Sequence, residues 1–89
     1  MEDTWFERDL PVLDAAVRIS GQTGRAMIEP AEIERITGLD RDAVQQALRA
    51  LRTGGYFEKV DVEWGGILGV STPTAAARRV VGAWPSGGG

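Results

Sequence analysis

Arg41, Gln45 and Arg49 stand four residues apart in the stretch GLDRDAVQQALRALRTGGYF, residues 38–57. That spacing lines the three along one face of a helix, with Gln46 and Arg52 beside them. Arginine and glutamine grip guanine and adenine edges through paired hydrogen bonds, each good pair contributing roughly 1–3 kcal/mol of discrimination. The same types are also good helix formers that populate any solvated face, and Asp42 among them would repel phosphate. At the level of the residues both readings stay open. Catalytic chemistry has far less to work with. The chain has no histidine and no cysteine, so it lacks the commonest general base and any thiolate for a metal or a disulfide. Glu32 and Glu34, or Asp61 and Glu63, are alternate surface acids, and no serine has a base to activate it. The glycine pairs do not have phosphate-loop spacing. The expectation is a protein that is not an enzyme and uses no cofactor or metal.

Eighty-nine residues make one domain with a modest core, burying roughly 60–65% of what the unfolded chain exposes. The sequence pI of about 4.8 and net charge of -3 argue against indiscriminate attraction to phosphate. The charge is uneven, however. Residues 39–55 set Arg41, Arg49 and Arg52 against Asp40 and Asp42, whereas residues 56–63 set Lys59 against Glu58, Asp61 and Glu63. No apolar run approaches the roughly 20 residues of a membrane span, and Glu2 and Asp3 give the start no signal-peptide character. A soluble cytoplasmic protein without a membrane partner is expected.

Several elements must position the arginines. Asp9 is placed to cap a first helix, with Pro11 in its first turn, where a missing N–H costs little. Leu10, Leu13, Ala16 and Val17 recur at helical spacing, Val12 and Ile19 widen the stripe, and the helix should end near Ser20 before a loop bracketed by Gly21 and Gly24. Met27 to Glu29 reads as a short extended piece. Pro30 then opens a second helix with Ile33 and Ile36 inward and Gly38 as a left-handed cap. After Leu39, Asp40 can cap the third helix, whose buried stripe is Val44, Ala47, Leu48 and Leu51; Gly54 and Gly55 stop it.

From there the period changes from 3.6 to 2. Lys59, Asp61 and Glu63 alternate with Val60, Val62 and Trp64, and Ile67, Leu68 and Val70 follow. This predicts a β-hairpin turning on Gly65-Gly66, where two glycines can take positive φ. Thr72 and Pro73 should open a closing helix with Ala77, Val80, Val81 and Trp84 on its apolar side, ended by Pro85.

The order helix, short strand, helix, tight turn, helix, hairpin, helix resembles the winged-helix branch of the helix-turn-helix family. The most specific piece is IERITGLDRDAVQQALRALRTGGYF. The resemblance implies an α+β fold: a three-helix core, a two- to three-stranded β wing and a C-terminal helix. It divides the chain into an N-terminal segment (1–8), a winged-helix domain (9–84) and a flexible tail (85–89). In DNA-binding members it also implies a third helix in the major groove and a wing on the backbone. The implied function is a transcription-regulator-like module binding double-stranded DNA as a homodimer. Arg41, Gln45 and Arg49 would then read bases, Arg52 would touch the backbone, and Gln46 would lie on the same DNA-binding face.

The wing departs from that pattern. Its tip, Trp64-Gly65-Gly66, carries no cation, and Glu63 lies beside it. Trp64 either tucks under the third helix as core or stands out as an aromatic anchor of the type enriched at protein interfaces. Arg78 and Arg79 can meet phosphates, pair with acids or be solvated. Trp5, Phe6, Val80, Val81 and Trp84 either fill the core or, with Trp64, form a dimer or partner surface. The alternative function is therefore a winged-helix protein-interaction or dimerisation module that docks another protein or domain and does not bind DNA.

Overall fold

The computed structural model describes residues 4–23 and 27–83. Among them, four α-helices and a two-stranded antiparallel sheet make an α+β fold. The helices are α1 (Leu10–Thr23), α2 (Pro30–Thr37), α3 (Arg41–Thr53) and α4 (Ala75–Ala83), and the strands are β1 (Val60–Glu63) and β2 (Gly66–Val70).

The first helix corrects its expected start. A π-helical turn, Trp5–Asp9, runs straight into α1, so Asp9 is not a cap. Pro11 explains the widened turn. It has no N–H to give, and its ring crowds the carbonyl four residues back. A turn closed by the Leu10 N–H donating to the Trp5 carbonyl, five residues away, relieves that crowding. Asp9 ends up buried, and its carboxylate accepts from Arg8 Nε at 2.7 Å. The helix also runs past Ser20 and through Gly21 to Thr23. Packing outweighs the glycine there: Leu10, Val12, Leu13, Ala15, Ala16 and Ile19 all go into the core.

Helix α2 begins at Pro30 and ends at Gly38, whose φ of 77° is the left-handed cap that glycine supplies without strain. Ile33 is fully buried, whereas Ile36 is exposed, contrary to its expected inward position. Its angular offset from Ile33 is about 60°, enough on this short helix to leave the strip covered by α1 and α3. Asp40 caps α3, accepting from the Ala43 N–H at 2.8 Å, and Val44, Ala47, Leu48 and Leu51 are buried as their spacing demands.

The hairpin turns one residue earlier than expected. Its central pair is Trp64-Gly65, at φ 53° and 78°, with Glu63 opposite Gly66. Two positive φ values match the right-handed twist of the strands, as in a type I′ turn. The register also carries a bulge. Asp61 lies opposite Gly69 and Val62 opposite Ile67, so Leu68 has no cross-strand partner. In a regular strand Ile67 and Val70, three apart, would face opposite ways; the extra residue turns both side chains into the core.

The outer edge of β2 is closed by two different groups. Ile28 and Val70 exchange N–H···O bonds of 2.8 and 3.0 Å, forming a one-residue third strand. The Gln45 side chain closes the edge at Ile67. Gly69 permits the Ile28 approach, since a Cβ there would come within 2.8 Å of Met27 Cγ and 3.2 Å of the Ile28 carbonyl oxygen. The closing helix starts two residues later than expected. Pro73 is buried in a bridge with Phe57, and Thr74 is the cap, its hydroxyl accepting from the Ala77 N–H at 3.3 Å.

Candidate docking site on the third helix and the hairpin tip

The α3 residues singled out by spacing come together with the hairpin turn, though not as one free row of side chains. Gln45 faces β2. Its Nε2 donates to the Ile67 carbonyl at 2.9 Å and its Oε1 accepts from the Ile67 N–H at 2.8 Å. A carboxamide has the same donor and acceptor pair as a peptide group, so it can substitute for a neighbouring strand. Arg49 Nη2 donates to the Gly65 carbonyl in the turn. Gln46 Oε1 accepts from Arg8 Nη1 at 2.9 Å, which ties the π-helical turn to α3. Three of the five side chains are thus engaged within the chain.

Arg41 and Arg52 are exposed, and their guanidinium groups make no hydrogen bond or ion pair with the described residues. Eleven residues apart, they return to nearly the same face about 16 Å along the helix axis. Arg41 borders two depressions. One, of about 440 Å³, lies between α2 and the hairpin and is lined by Glu29, Pro30, Ala31, Glu34, Gln45, Ile67 and Leu68 as well. The other, of about 250 Å³, lies between α3 and the turn, with Asp42, Gln45, Gln46, Arg49, Trp64, Gly65 and Gly66 as its remaining lining.

Trp64 is 98% exposed, which settles its placement against the core position. It is also the one non-glycine residue at positive φ among those described. A left-handed backbone costs an L-residue roughly 1–2 kcal/mol, and an exposed indole regains almost none of it through packing. Val62 and Leu68 add half-exposed apolar surface on the hairpin, at 48% and 57%.

The other expected partner surface divides. Trp5 is partly buried and stacks on Tyr56, ring centroids 5.8 Å apart, and Val81 packs against the core. Val80 is half-buried, Phe6 is exposed, and Trp84 lies outside the described residues. Arg78 and Arg79 are both exposed on α4. Sequence reasoning missed Arg8, whose contacts depend on where the π-helical turn lands. It also missed the exposure of Leu68, although two adjacent apolar residues in GILGV break strict alternation and so signal a bulge.

Fold and site together define a small α+β domain with a helix-and-hairpin depression. Among the described residues no group of three or more metal-ligating side chains gathers, and no helix is long and apolar enough to cross a membrane. No protein-family model matches the chain, and no curated protein or solved structure matches it significantly.

Proposed function

We propose that this chain is a winged-helix protein-interaction module that docks a partner through α3 and the tip of its wing. The observation that carries this reading is Trp64, held fully exposed on a left-handed turn beside α3. Large aromatics whose indole is free of the core are the anchors around which protein interfaces concentrate their binding energy. The engagement of Gln45 by Ile67, and of Arg49 by Gly65, supports it further by thinning the row that would read bases. The wing also offers phosphate little, with Glu58, Asp61 and Glu63 against Lys59.

A second reading, DNA binding through α3, is favoured by one observation: the Arg41 and Arg52 side chains share a face and have no partner among the described residues. One pair of experiments separates the two. Fluorescence anisotropy with a labelled duplex at about 20 mM salt, where phosphate attraction is strongest, should show no binding at about 100 μM protein. A photo-crosslinking residue in place of Asp42, which is exposed and borders the depression beside Trp64, should form a discrete protein adduct in the cells that make the chain, and the same residue in place of Arg18 should not. Salt-sensitive micromolar duplex binding, lost on Arg41→Glu with Arg52→Glu, would overturn the docking reading in favour of DNA.

A further inference from the structure

The depression between α3 and the hairpin turn has a definite chemistry. It joins the Arg41 and Arg49 guanidiniums and the Gln46 carboxamide to the Trp64 indole, with Asp42 as its one acid. Arg49 is held toward the turn by its bond to the Gly65 carbonyl, which leaves its remaining N–H groups for a ligand. Arg41 has no partner among the described residues, and Arg52 extends the positive line along α3. Planar guanidiniums match carboxylates in two-bond geometry, and an exposed indole takes an apolar side chain.

Resting on the docking reading above, we propose that this depression binds an acidic segment of a partner protein, with an Asp or Glu carboxylate on Arg41 and Arg49 and a neighbouring aromatic or aliphatic residue against Trp64. Charge decides the occupant. With its cap, the exposed α3 face sets Arg41, Arg49 and Arg52 against Asp40 and Asp42, so it is net positive although the chain as a whole carries -3. The extent of the positive surface decides between anions. A nucleic acid continues past the depression in both directions, and on the hairpin side its phosphates meet Asp61 and Glu63, both exposed. A short peptide places its carboxylates on α3 and ends there.

The test uses the whole chain and three probes: an acidic peptide (acetyl-Glu-Asp-Phe-Leu-Asp-Glu-amide), the same peptide with lysine at each acid, and oligothymidylate of twelve nucleotides. Two-dimensional NMR follows the Trp64 indole N–H and the Arg41 and Arg49 Nε–H signals. The acidic peptide should shift all three, and Trp64→Ala and Arg41→Gln should each weaken it at least fivefold. Both side chains are exposed, so the variants should fold, and dispersed spectra check that they do. Equal binding of the lysine peptide, tighter binding of oligothymidylate, or no shift at 2 mM acidic peptide would overturn the proposal. So would sedimentation showing that Trp64 instead joins two copies of the chain. If the crosslink at position 42 captures a protein while the acidic peptide fails, the docking reading stands and its acidic ligand falls; failure of both removes both.

Discussion

Gln45 and Trp64 sit on either side of the same depression, and opposite physical arguments apply to them. Gln45 is half-buried and satisfies the N–H and the C=O of Ile67 together. Removing it leaves two backbone groups near the core without partners, so Gln45→Ala should cost about 1–3 kcal/mol, read as a lower urea midpoint. Gln45→Glu should cost at least as much at neutral pH, because a carboxylate cannot donate to the Ile67 carbonyl. Trp64 runs the other way. Asparagine tolerates the left-handed backbone that the turn requires, so Trp64→Asn should leave thermal stability unchanged or raise it by up to about 1 kcal/mol. A clear loss of stability in that variant would mean that the indole packs after all. Trp64→Asn should also abolish docking, separating binding from folding in a single residue.

At the scale of elements, the hairpin depends on how β2 is bordered. A regular strand with a free edge invites pairing with other chains. Here Ile28 and Gln45 close that edge from two different elements, and the bulge at Leu68 brings Ile67 and Val70 to the same side to meet them. Gly69 is the tightest point. Gly69→Ala would push Met27 aside at little cost, but its Cβ would also lie 3.2 Å from the Ile28 carbonyl oxygen, which belongs to backbone. A loss of about 1–3 kcal/mol is expected, with faster amide exchange at Ile28 and Val70. Met27→Ala added to Gly69→Ala should recover only part of it. Full recovery would show that the side chain alone sets the constraint.

For the whole molecule, residues Trp5–Asp9 belong with the rest of the domain. The π-helical turn packs on α3, Trp5 stacks on Tyr56, and Arg8 neutralises buried Asp9 while reaching Gln46. Starting the chain at residue 9 would remove an aromatic anchor and leave a buried carboxylate without its cation. Such a truncation should cost at least about 2–3 kcal/mol, a large fraction of a small domain's stability, measurable by differential scanning calorimetry. Self-association has less apolar surface to draw on than the sequence suggests, because Trp5 and Val81 turn into the chain's own core. Sedimentation equilibrium at 10–100 μM is expected to return a monomer, and a dimer that survives Trp64→Ala would point to Phe6 and α4 instead.

Much of this is legible in the sequence. The helix bounds at Pro30, Gly38 and Asp40, the buried stripe of α3 and the presence of a hairpin all follow from local rules: proline and glycine backbone limits, capping, and the 3.6 and 2 periods. Those rules act over a few residues, so the sequence carries them openly. The π-helical turn before Pro11, the one-residue shift of the hairpin turn and the exposure of Ile36 each hinge on which neighbour arrives across space. The candidate site divides in the same way. Its residue types and their helical line could be read from spacing. That Gln45 would border a strand, Arg49 would hold a turn, and Arg41 and Trp64 would remain free to bind was decided by tertiary packing. A long polar side chain reaches several partners, and only the assembled fold determines which of them lies within hydrogen-bonding distance.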